Sequence, residues 1–279
     1  MKEYKRIIVI GDGWGTIAVL KGLEKFFLPI CVVSNDEDVL SVAERTAEAD
    51  LSVYRNELLI FAGYKPIVPK EVLENNTCIN IHYSLLPKYR GFHSTVWAIL
   101  NNEPSLGLTV HLMDEYVDNG PILHQYAVKN DFTSTSTDYM NCFNSYVESN
   151  IGEIIKNYIH DKIKPIAQNK LDASWVGKRN AEDCKIDFSR TISYQKAFFR
   201  ALVEPYPLPY VIHKGQKIIV RKVKYHKSSV DTHIGRILNI DNDGVWVKIQ
   251  DGYMVLVSMC DEKGKQYSIE NFKIGQYLK

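Results

Sequence analysis

Cysteine is sparse and unpatterned in this 279-residue chain: Cys31, Cys78, Cys142, Cys184 and Cys260 are odd in number, widely spaced and without a Cys-x-x-Cys pair. Such spacing offers neither a disulfide framework nor a zinc ligand set, so reduced, mostly buried thiols and no metal are expected. Long apolar runs are also missing. No segment approaches the roughly 20 residues that a bilayer-spanning helix requires. The amino terminus, MKEYKRIIVIGDGWG, reads as a strand and a glycine turn without a cleavage-type region, and a cytoplasmic protein that meets no membrane is expected. Excess charge is absent too: 34 Lys and Arg against 33 Asp and Glu leave a net charge of +1. That balance argues against a generic nucleic-acid binder.

The near-zero sum conceals two unlike parts. Residues 1–189 hold 19 Lys and Arg against 25 Asp and Glu, whereas residues 190–279 hold 15 against 8. With 45% hydrophobic residues, the chain can fill one large core or a core and a smaller second domain.

Apolar periodicity divides the chain in the same way. Strand signals at 6–10, 30–33, 58–62 and 78–83 alternate with a helix at 16–27 and with helical or loop stretches, the rhythm of a parallel sheet covered by helices. A helix near 95–102, strands at 107–113 and 121–128, and a long amphipathic helix at 137–159 complete the first part. Residues 160–209 hold four of the ten prolines and read as an irregular connector over the first domain's surface, broken only by a helix near 194–203. From 210 onward short β runs at 216–225, 234–240, 245–249 and 253–259 are joined by the turn signals Asn242-Asp243-Gly244 and Asp251-Gly252. A small all-β barrel or sandwich is their natural closure. The division drawn is a catalytic domain at 1–189, a connector at 190–209 and a β domain at 210–279.

The turn Gly11-Asp12-Gly13-Trp14-Gly15 follows a strand and opens a helix, but its spacing is GxGxG where a dinucleotide site has GxGxxG. A tight strand-to-helix turn, a ligand-contacting loop and a nicotinamide site all remain open for it.

The chemistry is concentrated in Asn80-Ile81-His82-Tyr83-Ser84-Leu85-Leu86-Pro87-Lys88-Tyr89-Arg90-Gly91 and in Asp118-Asn119-Gly120-Pro121-Ile122. Strand residues two apart share a face, so Asn80 and His82 present an amide and an imidazole side by side where a strand ends, the place at which open α/β sheets take ligands. Alone, Asp118 reads as a turn-capping aspartate. Together, Asn, His and Asp suit acyl transfer to an amine: the amide donates to the developing oxyanion, the imidazole takes the amine proton, and the carboxylate orients the imidazole.

In order and spacing, these two runs, with WAILNNE at 97–103 and GLTVH at 107–111, resemble the formyltransferase family that uses 10-formyltetrahydrofolate. The resemblance implies an α/β fold, a Rossmann-like, mostly parallel sheet followed by a small all-β C-terminal domain. It implies Asn80, His82 and Asp118 as the catalytic residues. It also implies Gly63, Tyr64, Lys65, Pro66, Ile67 and Val68, with Asp118, as the folate-binding set.

Among family members, a glycinamide ribonucleotide formyltransferase leaves the β domain unexplained. A methionyl-tRNA formyltransferase has one, and Lys214, Lys217, Arg221, Lys222, Lys224 and Lys227 suit either phosphate contacts or a solvated strand edge. Yet SNDEDVLSVAERTAEAD at 34–50 carries six acids and one base where the tRNA enzymes have a basic insertion. The segments GKRNAEDCKIDF at 177–188 and FRALVEPYP at 199–207 resemble sugar N-formyltransferases acting on nucleotide-linked 4-amino sugars. That implies a dTDP-4-amino-4,6-dideoxyglucose acceptor for surface polysaccharide such as lipopolysaccharide O-antigen, a homodimer, and substrate contacts from Trp14, Lys88, Tyr89, Arg179 and Tyr206. Cys184 stands where that group commonly has glycine, and Phe92-His93-Ser94 where a proline is frequent in the wider family. His93 reads as a surface or substrate-contacting residue, and His111 as a structural partner of the site loops. A nucleotide-sugar binding module without turnover is the third class of reading.

Overall fold

The computed structural model describes residues 2–278. Its first unit comprises the residues up to Ala98, Pro104–Lys129 and Asp138–Lys178; its second comprises Ile99–Glu103, Asn130–Thr137 and the residues from Arg179 onward.

The elements of the chain run β1 (Ile7–Ile10), α1 (Trp14–Leu23), β2 (Ile30–Val33), α2 (Glu37–Val42), β3 (Leu58–Phe61), α3 (Lys70–Asn75), β4 (Thr77–His82), β5 (Arg90–Gly91), α4 (Ser94–Leu100), β6 (Ser105–Leu112), β7 (Ile122–Lys129), α5 (Ser136–Ile159) and β8 (Trp175–Val176). Six strands form one sheet in the order β2-β1-β3-β4-β6-β7, parallel from β2 to β4 and antiparallel across β4-β6-β7. Its central strands are continuous apolar runs, IIVI and LLIF, buried at every position as strands covered on both faces must be. Helix α1 stops at Leu23, short of the expected 27, and the chain then turns back through residues 24–29 into β2, Pro29 keeping Leu28 out of helical backbone.

Chain order reverses direction about β1, so the β1–α1 turn and the β3–α3 loop meet at the carboxyl end of the sheet. Gly11 has φ +146°, and a Cβ there would lie 1.8 Å from the carbonyl oxygen of Ala62; Gly63 has φ +70°, and its Cβ would lie 2.4 Å from the carbonyl oxygen of Asp12. The glycines therefore allow two loops to pass backbone against backbone. Gly11→Ala is expected to destabilise the protein by about 3 kcal/mol or more, read as a lowered midpoint in thermal unfolding. A midpoint equal to wild type would show that the two loops can separate freely.

The second unit contains α6 (Ile192–Ala201) and a five-stranded antiparallel sheet of β9 (Tyr210–His213), β10 (Gln216–Lys227), β11 (Ile237–Asp241), β12 (Gly244–Ile249) and β13 (Gly252–Cys260), ordered β11-β12-β13-β10-β9. Its core is Val211, Ile218, Val220, Ile237, Val245, Val247, Ile249, Met254 and Leu256. Strand β9 pairs with β10 over Gln216–Ile219, so among the described residues no strand covers the basic 221–227 stretch on that side, the kind of edge that lysines guard against further pairing. In that stretch Lys224 pairs with Asp243 at 2.6 Å; before it, Lys217 lies 3.7 Å from Glu262 and Lys214 donates to the Asn271 carbonyl.

Candidate functional site

Strand register assembles the site. In the antiparallel β4-β6 pair Asn80 lies opposite His111 and His82 opposite Thr109, so side chains from two strands meet on one face. Toward the amino end of β4 that face is apolar: Cys78 packs with Ile8, Ile10, Leu59 and Phe61. At the carboxyl end it becomes polar. The Asn80 amide nitrogen lies 3.2 Å from His111 Nε2 and donates to Asp118 Oδ1 at 3.2 Å. His111 Nδ1 lies 2.7 Å from the Leu112 carbonyl, which assigns the hydrogen to Nδ1 and leaves Nε2 as the acceptor for Asn80.

His82 is 8% exposed, and its Nε2 lies 2.8 Å from the Tyr89 carbonyl oxygen. A carbonyl only accepts, so the neutral ring carries its hydrogen on Nε2 and turns the Nδ1 lone pair toward Asp118 Oδ2, 3.4 Å away. Burial holds the His82 imidazole below its ordinary pKa, a larger effect than the opposing pull of Asp118 and the Tyr89 carbonyl. For Asp118 burial favours the neutral acid, but His82, His111 and the Gly91 N–H together outweigh it and bring the carboxyl down to about 2. The Gly91 N–H donates to Asp118 Oδ2 at 2.8 Å. At neutral pH the cluster is therefore a carboxylate facing an uncharged imidazole.

The loop after β4 is tethered along its length. Thr109 Oγ1 donates to the Ser84 carbonyl and accepts from the Leu86 N–H, while the Gln125 amide donates to both Thr109 Oγ1 and the Leu86 carbonyl. Ser94 and Thr95 at the start of α4 both donate to the Tyr83 carbonyl. On its far side the loop is met by β8, which pairs with β5, and by Ser174, whose hydroxyl accepts from the Tyr89 N–H and whose carbonyl accepts from the Arg90 N–H.

The structure thus brings Asn80, His82 and Asp118 together and adds His111 to them. Tyr89 joins through its backbone, at φ +61°; Lys88 is exposed. In the 63–68 loop the residues diverge: Ile67 is 74% exposed, Val68 is buried with the β1-β3 core, and Tyr64 lies 5.4 Å from Phe61, ring to ring. Trp14 is half exposed at the start of α1. Arg179 and Tyr206 belong to the second unit, where the Arg179 guanidinium donates to the Asp183 carbonyl and the Tyr206 N–H to the Val203 carbonyl. In the glycine turn the Gly13 N–H, which would face a phosphate in a dinucleotide site, donates instead to Asp36 Oδ2 at 2.9 Å.

Sequence reasoning missed Gln168 and Ser174. Both sit in an irregular stretch with no periodicity, and only the fold shows that it returns to the 87–91 loop.

The family model described as Formyl transferase matches residues 7–151, and that described as Formyl transferase, C-terminal domain matches residues 178–277. A methionyl-tRNA formyltransferase of Desulfotalea psychrophila is 27% identical over 229 residues, covering 81% of this chain and 70% of the relative. An N-formyltransferase of Helicobacter canadensis, solved with folinic acid and dTDP-3-aminofucose, superposes with a TM-score of 0.71 at 20% identity, over 95% of this chain and 100% of that one. HypX of Aquifex aeolicus, solved with tetrahydrofolic acid, superposes with a TM-score of 0.66 at 19% identity over 95% of this chain, which spans 45% of that longer protein.

Proposed function

The chain belongs to the formyl transferase family and is a formyltransferase, and from that premise we propose that it moves the formyl group of 10-formyltetrahydrofolate to the amine of a dTDP-linked 4-amino-4,6-dideoxy sugar. The observation that carries the chemistry is the cluster of Asn80, His82 and ionised Asp118 at the carboxyl end of β4. The neutral sugar amine attacks the formyl carbon, whose oxygen gathers charge. Asn80 turns the amide hydrogen that faces His111 Nε2 to that oxyanion, a stronger acceptor than a ring nitrogen, and keeps its bond to Asp118. His82 takes the amine proton at Nδ1 and becomes an imidazolium paired with Asp118; as the oxyanion collapses and the carbon–nitrogen bond to tetrahydrofolate breaks, His82 gives that proton to the departing nitrogen and returns to its neutral form.

The folate is assigned to the Gly63–Val68 loop with Asp118, and the nucleotide sugar to Trp14, Lys88 and Tyr89 of the first unit. Support for a sugar acceptor comes from the acidic 34–50 segment and from the full-length likeness to a protein solved with a dTDP-amino sugar. The second reading, methionyl-tRNA formylation, is favoured by the curated relatives that share 27% identity. Incubation with the folate donor and a panel of dTDP- and UDP-linked 3-amino and 4-amino sugars, alongside aminoacylated initiator tRNA, separates them by which acceptor gains one formyl group. Formylation confined to the tRNA, with steep salt dependence, overturns the sugar reading.

Asp118→Asn removes the charge that raises the His82 pKa. The acid limb of kcat/KM is then expected to move to lower pH while kcat falls about 10²-fold. A limb moving upward would place the dominant charge on His82 elsewhere.

A further inference from the structure

Gln168 lies outside the reacting cluster, yet its side chain makes four hydrogen bonds around it. Its oxygen accepts from Arg90 Nε at 3.2 Å and Nη2 at 2.7 Å, and its amide nitrogen donates to the carbonyls of Asp118 at 2.9 Å and Gly120 at 2.8 Å. Arg90 is 3% exposed. The rest of the guanidinium is equally confined: Nη1 donates to Asn119 Oδ1 at 2.9 Å, and the group stands 5.6 Å from the centre of the Trp175 ring. Among the described residues, the side-chain hydrogen bonds of this buried cation thus go to two neutral amides, those of Asn119 and Gln168.

Asp118 itself has φ +51°, a left-handed conformation that a non-glycine residue keeps only when its surroundings fix it. The two Gln168 bonds fall on the carbonyls of Asp118 and Gly120, flanking Asn119. Arg90 fastens both Asn119 and Gln168, and the next N–H along, that of Gly91, holds the carboxylate. We propose that Gln168, oriented by Arg90, is a positioning residue that sets the Asp118 carboxylate against His82. This inference rests on the role given to Asp118 above.

The amide is the one side chain of this length with an acceptor for the guanidinium and two donors for the carbonyls. Gln168→Glu keeps length and places a carboxylate beside Arg90, an ion pair that supports the fold, but turns an acceptor toward two carbonyl oxygens. Gln168→Met keeps the volume and removes both donors. The groups facing His82 among the described residues are Asp118 from the β6–β7 loop, His111 from β6 and the Tyr89 carbonyl. A displaced Asp118 therefore lets the His82 pKa fall.

The test measures thermal unfolding, kcat and KM for formyl transfer, and the pH titration of the His82 ring by NMR in the protein without substrate, for wild type, both Gln168 variants and Asp118→Asn. The expected result is a folded protein with KM little changed, kcat lower by about 10- to 100-fold, and His82 titrating at lower pH in both Gln168 variants. Wild-type kcat with an unmoved titration in a folded variant overturns the proposal, as does loss of the fold in both. The titration needs no acceptor, so a wrong substrate does not disturb it. Full activity of Asp118→Asn would instead refute the role of Asp118 on which the inference stands.

Discussion

Replacing His82 with alanine is expected to lower kcat for formyl transfer by about 10²- to 10⁴-fold, the usual contribution of a placed general base. The ring has one available atom. Nε2 is committed to the Tyr89 carbonyl, so only Nδ1 can receive the amine proton, and the product imidazolium finds Asp118 Oδ2 at 3.4 Å. The base must be uncharged to act, and burial lowers its pKa. Wild-type kcat/KM should therefore fall on the acid side with an inflection below the ordinary imidazole value of about 6.5, and the alanine variant should lack that inflection. Turnover of His82→Ala close to wild type would falsify the assignment. Thermal unfolding measured in parallel guards against reading a collapsed fold as lost chemistry.

Asn80→Ala should cost about 10²- to 10³-fold in kcat with a small change in KM, because the amide hydrogen reaches full strength only toward the charged oxygen of the tetrahedral intermediate. In the resting site the Asn80 nitrogen faces His111 Nε2 and Asp118 Oδ1, each 3.2 Å away. Catalysis therefore exchanges one hydrogen bond for a stronger one and leaves no buried donor waiting. Asn80→Asp should be at least as impaired, since it sets a second carboxylate beside Asp118 and opposes the oxyanion. A rise in KM with kcat preserved would show instead that Asn80 serves ground-state binding.

The parts of this molecule governed by local patterning were legible in advance. The IIVI and LLIF runs are too short and too apolar for anything but buried strands, and the i, i+2 spacing of Asn80 and His82 follows from the pleat alone. Features set by contacts distant in sequence were less accessible. The placement of His111 against Asn80 depends on a register across 31 residues, and that of Gln168 on a return across 50. The two-residue ladder of β5 and β8 leaves no periodicity to detect. Strand β9, only four residues long and preceded by prolines, lacks a run long enough to announce itself.

Asp36 gives the glycine turn a different meaning. One of its carboxylate oxygens caps α2 through the Asp38 and Val39 N–H groups, and the other takes the Gly13 N–H at the head of α1. An acid of the chain itself takes the N–H that a dinucleotide site would turn toward a phosphate. Grafting dinucleotide binding onto this scaffold would thus require evicting Asp36 first, and the eviction would uncap α2. One side chain ties the head of α1 to the head of α2, so a change at Asp36 would loosen both turns at once.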